Sequence, residues 1–97
     1  MIRHIVLWQL KDGFDKEERL GRIKASLESM NGKIPGMIKA EVRIEKLKTS
    51  NVDAMFDSTF ETEQALKDFG ADPLHNEIAD REIRPYYGQR MCIDFEE

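Results

Sequence analysis

The stretch IRHIVLWQL, residues 2–10, decides how the fold is read. It is rich in β-branched and aromatic residues and runs into the turn signal Asp12-Gly13, so it reads as a strand. Ile2, His4, Val6, Trp8 and Leu10 fall on one face; Arg3, Ile5, Leu7 and Gln9 fall on the other. Both faces carry large apolar side chains. A strand in a sheet with one wet face would not need that.

Downstream, Asp15 with Glu18 three residues later resembles a capping box, and Leu20, Ile23, Leu27 and Met30 recur at helical spacing. Asn31-Gly32 stops this helix and Pro35-Gly36 turns the chain. Residues 37–47 alternate, which predicts a strand with Ile38, Ala40, Val42 and Ile44 inward and Lys39, Glu41, Arg43 and Glu45 outward. Residues 54–60 form a third strand, and a short helix spans Glu63 to Phe69, with Gly70 interrupting it. Asp72 is a good N-cap and Pro73 suits the first helical position of a second piece that runs toward Pro85. The last strand is about Gln89 to Phe95.

The order β-α-β-β-α-β predicts an α+β, ferredoxin-like domain: a four-stranded antiparallel sheet with both helices on one face. The helices are expected to cover His4, Val6, Trp8, Phe56, Phe60, Met91 and Ile93. The opposite face then holds Ile5, Leu7, Met55 and Cys92. An open apolar patch of that kind calls for a partner, and a homodimer packed through the sheet faces is the expected solution.

Ninety-seven residues make a single domain. A net charge of −4, with both signs interleaved, lacks the concentrated basic patch of a nucleic-acid binder. The one cysteine, Cys92, makes no internal disulfide, so a reducing, cytoplasmic setting is expected. The apolar start is too short to cross a bilayer and lacks the pattern of a signal peptide, and no membrane role is expected. Two histidines and one cysteine spread over three elements show no zinc-ligand spacing, and no phosphate loop or nucleophile elbow is present; neither metal nor cofactor is expected.

His75 is the residue on which function turns. It lies in the first turn of a helix, where the dipole and partial burial both favour a neutral imidazole, the form that a general base requires. The plainer reading is a histidine bonded to nearby backbone or to Asp72. His4, between Ile2 and Val6, divides in the same way between a satisfied core histidine and a second polar group in one pocket. Trp8, Phe56, Phe69, Tyr86 and Tyr87 read as core aromatics. As pocket walls, together with Val6, Ile23, Leu27 and Ile78, they would suit a flat and largely apolar ligand.

The segments RHIVLWQLKDG, KIPGM, FDSTFET and FGADPLHNEIADREIRPYY resemble the stress-responsive dimeric α/β-barrel (Dabb) family over nearly the whole chain, 1–97. The resemblance implies a ferredoxin-like subunit whose sheets pair into a barrel-like homodimer. It also implies a link to a plant branch of polyketide cyclases that close a linear tetraketide to a resorcylic acid without metal or cofactor. In that branch the histidine matching His75 is the base, the first-strand histidine matching His4 lines the pocket, and the position of Tyr86 also lines it. The two phenols of the branch fall on Phe69 and Leu27 here, so both are lost.

The sequence therefore points to a homodimer that holds a small apolar or aromatic carbonyl compound between sheet and helices. The catalytic form of this reading is cofactor-free acid/base chemistry of cyclase or lyase type at His75, with His4 or Tyr86 orienting the substrate. The alternatives are a stress-response dimer without turnover and, by analogy of fold, a cofactor-free monooxygenase-like enzyme.

Overall fold

The computed structural model describes residues 1–97. Strands β1 (Ile2–Leu10), β2 (Met37–Arg43), β3 (Ala54–Phe60) and β4 (Tyr87–Glu96) form one antiparallel sheet in the order β2-β3-β1-β4. Helices α1 (Lys16–Glu28), α2 (Glu63–Ala71) and α3 (Pro73–Ile78) lie on one side, and a π-helical turn, Ala79–Ile83, continues α3. The ferredoxin-like order is that expected from the sequence.

The caps follow the local chemistry. The Asp15 carboxylate accepts from the Glu18 backbone N–H at 3.2 Å and opens α1. Thr62 does the same for α2 through Ala65, at 3.0 Å. Gly70 does not interrupt the second helical run: α2 continues to Ala71, and the break falls at Asp72-Pro73. Proline disfavours helical backbone in the residue before it, and Asp72 is extended with ψ 128°. Gly36 is needed for two reasons. Its φ is +77°, and a Cβ there would come within 2.5 Å of the Ala65 Cβ where α2 crosses the turn before β2.

The core lies between the helices and one sheet face. Val6, Ile23, Leu27, Met30, Val42, Phe56 and Phe60 are almost fully buried there. A bulge changes the pattern read for β2. The β2–β3 register shifts between Met37 and Lys39, which turns Met37 into the core and leaves Ile38 half exposed on the outside.

The facing of β4 also differs from expectation. Direct pairing sets Ile5 opposite Ile93, Leu7 opposite Met91, Val6 opposite Cys92 and His4 opposite Asp94. Cross-strand partners share a face. Met91 and Ile93 therefore belong with Ile5 and Leu7 on the outer face, at 62% and 61% exposure, with Phe95 at 42%. Cys92 lies on the helix side instead. Met91, Ile93 and Phe95 are as apolar as core residues, and alternation alone does not say which face of the sheet they take.

Candidate functional site

The helices cover β1 and β3 but leave the inner face of β4 open. A cavity of about 760 Å³ results, within the range of small-molecule sites. Its floor is Val6, Trp8 and Phe56; its roof is Leu66, Phe69 and His75; its open side is β4, through Arg90, Cys92 and Asp94.

His75 is set by its helix start. Asp72 accepts from the backbone N–H of Leu74 at 2.9 Å and of His75 at 3.2 Å. The His75 ring Nδ1 lies 2.9 Å from the Phe69 carbonyl oxygen. A carbonyl only accepts, so Nδ1 carries the proton and, in the neutral ring, Nε2 holds the free lone pair. The ring also stacks on Phe69, with centroids 3.9 Å apart and planes 22° apart. Burial among these groups pushes the His75 pKa below its ordinary value, and the charge of Arg84 acts in the same direction; the Phe69 carbonyl partly opposes them. The backbone bond of the plainer sequence reading is present, and it leaves Nε2 without a partner in the chain.

His4 is buried on β1 and faces the same cavity. Its Nδ1 donates to the Asp94 carboxylate across the β1–β4 pair. The His4 ring meets Phe56, Phe60 and Phe69 edge-on at 6.0–6.3 Å. Cys92 completes this corner, with Sγ 3.6 Å from His4 Nδ1 and 3.5 Å from Asp94 Oδ1. Burial and the neighbouring Asp94 carboxylate raise the Cys92 thiol pKa.

Of the residues expected at the site, His75, His4, Val6, Trp8, Leu27, Phe56 and Phe69 all line the cavity. Three do not. Ile23 and Ile78 are buried in the core away from the lining. Tyr86 turns toward α1, where its ring packs on Phe14 at 5.2 Å and lies 3.6 Å beneath the Arg19 guanidinium. The neighbouring Tyr87 lines the cavity in its place. The Trp8 indole N–H is buried without an acceptor in the chain. Unanticipated were the charged rim, with Lys67, Arg84 and Arg90, and the Cys92–Asp94 wall. The only available signal for that wall was the two-residue spacing of Cys92 and Asp94 on one strand face, and it needed the β1–β4 register to acquire meaning.

A family model described as the stress responsive A/B barrel domain matches residues 2–97. Comparison with curated protein sequences gives no match. Among solved structures, a dimeric ferredoxin-like protein of unknown function from Bacteroides fragilis superposes with a TM-score of 0.90 at 23% identity, covering 99% of this chain and 95% of its own. A Dabb family protein from Mesorhizobium loti gives 0.76 at 19% identity, covering 99% and 95%. A hydroxynitrile lyase from Passiflora edulis gives 0.81 at 18% identity, covering 97% and 90%. These likenesses establish the shared fold.

Proposed function

The chain belongs to the stress-responsive A/B barrel (Dabb) family, and on that footing we propose that it binds a small apolar or aromatic carbonyl compound in the cavity beside His75 and acts on it by cofactor-free acid/base chemistry of cyclase or lyase type. One observation carries the reading: a histidine whose Nδ1–H is held by the Phe69 carbonyl, and whose charged form burial disfavours, stands on the wall of a cavity lined by aromatic rings. Such a ring offers Nε2 as a base near neutral pH. A proton taken from a hydroxyl, or from the carbon beside a carbonyl, goes to Nε2, and the Phe69 carbonyl supports the resulting imidazolium through Nδ1–H. Tyr86 faces α1, so orientation of the substrate falls to His4, held in place by Asp94.

Phe69 and Leu27 offer no phenol, and the phenol in the cavity lining is that of Tyr87 on β4, which favours a reaction that needs one base over one that needs phenols at the two lost positions. Cleavage of a hydroxynitrile is a reaction of the first kind, since a base can take the hydroxyl proton as cyanide leaves and a carbonyl forms, and one similarly folded protein is a hydroxynitrile lyase from Passiflora edulis. The test is turnover of aromatic hydroxynitriles, and of linear polyketo thioesters for the cyclase form, by the wild type and by His75→Ala. The proposal expects a loss of about 10²–10⁴-fold in kcat/KM in the variant. Equal turnover by both proteins would refute a role for His75.

The unit of function in this proposal is a homodimer. Its interface is the outer face with Ile5, Leu7, Met91, Ile93 and Phe95, and the dimeric descriptions of similarly folded proteins support it. An occluded core beside His75 would favour the rival reading, a stress-response dimer without turnover, and the cavity of about 760 Å³ supplies no such support.

A further inference from the structure

We propose that His4, Cys92 and Asp94 form a three-ligand site for a borderline-soft divalent cation of the zinc class, opening into the cavity. The three donor atoms lie within 4.8 Å of one another. They converge because of the strand register: His4 and Asp94 are direct partners across β1 and β4, and Cys92 precedes Asp94 by two residues on the same face. Direct partners in an antiparallel pair hold their Cβ atoms about 5 Å apart, so side chains of this length meet above the sheet.

The separations fit a tetrahedral cation. Bonds of about 2.3 Å to sulfur and 2.0–2.1 Å to nitrogen or oxygen imply edges of about 3.5 Å between sulfur and either lighter donor. Cys92 Sγ stands 3.6 Å from His4 Nδ1 and 3.5 Å from Asp94 Oδ1. The third edge, between His4 and Asp94, is closed by a hydrogen bond. It must open to about 3.3 Å as the cation replaces the shared proton. Asp94 is exposed and has room to make that shift, whereas His4 is fixed in the core wall.

The donor set also selects among metals. A sulfur, an imidazole and a carboxylate together suit zinc and its neighbours better than magnesium or calcium, which take oxygen ligands. Three protein ligands leave a fourth position free, and all three line the cavity, so a group bound there could reach that position. This is the pattern of reactive rather than purely structural zinc sites. Arg90 lies on the same strand face beside Cys92 and opposes a cation, but its side chain is exposed and can turn away.

The inference does not depend on the His75 reading, but a bound cation would replace the His4–Asp94 hydrogen bond and with it the cofactor-free role given to His4 there. The test is a cobalt(II) titration of the reduced full chain after chelator treatment, followed by absorption. The site predicts saturation at one cobalt per chain, with a thiolate-to-cobalt charge-transfer band, tetrahedral visible bands and displacement by zinc. Cys92→Ser should abolish the charge-transfer band. His4→Gln and Asp94→Asn should each weaken binding by at least about tenfold. A wild-type titration without a thiolate band, or an unchanged spectrum in Cys92→Ser, would overturn the site. A measurement on the wild type alone guards against variants that fail to fold: stoichiometric zinc should slow alkylation of Cys92 by iodoacetamide, and an unchanged rate would overturn the proposal. His75 is tested by turnover and this site by the cobalt spectrum, so either can fail alone.

Discussion

At the scale of single residues, His75 shows how one position serves structure and chemistry together. Its backbone N–H helps to start α3, its Nδ1–H caps the Phe69 carbonyl, and its ring stacks on Phe69. Burial makes the charged ring unfavourable and lowers its pKa. The sign of the consequence follows. Above the ordinary value near 6.5 both folded and unfolded chains carry a neutral ring. As the pH drops below that value, the unfolded chain takes up a proton that the folded chain resists, so stability falls until the folded value is passed. The imidazole Cε1 proton of His75 should therefore titrate below pH 6.5 by NMR. The urea midpoint of the wild type should also fall through that window relative to His75→Asn. A midpoint at or above 6.5 would mean that burial does not govern this ring. The sequence carried the sign of this effect, through the helix start. It did not carry the partner, because the Phe69 carbonyl meets the ring only once α2 has ended at Asp72.

Between elements, the contact that sequence patterns left unread joins α1 to the π-helical turn. Glu82 is buried and accepts from Arg22 at 2.9 Å and from Arg19 at 3.4 Å, and Arg19 in turn covers Tyr86. This clamp holds the chain segment after His75 against α1 and draws Tyr86 out of the cavity. Glu82→Ala should cost about 1.5–3 kcal/mol, the range of hydrogen bonds to charged groups, measured by urea unfolding. A change under about 0.5 kcal/mol, as for an ordinary surface site, would show that the clamp is not structural. Elements with a single strong period were legible. β1, β3 and the start of α1 fall where their residues place them, because turn, cap and apolar spacing agree. β2 and β4 were less legible for physical reasons. A bulge at Ile38 resets the alternation of β2, and β4 is exposed on both faces of the single chain, so the alternation of its apolar residues does not say which face is the core. The cavity walls on β1 and β3 inherit the legible part; Cys92 and Asp94 belong to the other.

For the whole molecule, the proposed dimer rests on the outer sheet face. Ile5 against Ile93 and Leu7 against Met91 build an apolar strip along the β1–β4 pair, and the exposed Phe95 extends it. Water contact with such a strip is relieved when a second copy packs on it. Sedimentation should give a dimer for the wild type at micromolar concentration and a monomer for Ile93→Glu, which places a charge in the centre of the strip. A wild type that sediments as a monomer would contradict the interface. No helix is long and apolar enough to cross a membrane. Most of the cavity lining lies on the opposite side of the sheet from the strip, with Phe95 shared between them, so a dimer built through the strip would leave room for a ligand above each sheet. That cavity also contains its own reporter, because Trp8 is the single tryptophan and lies in its floor. The most direct measurement is therefore a titration of Trp8 fluorescence with a panel of aromatic aldehydes and ketones. The predicted result is a saturable change at one ligand per chain for at least one compound, weakened when Trp8 is kept and Phe56 is replaced by Ala. An emission that no member of the panel alters in a saturable way would contradict the account.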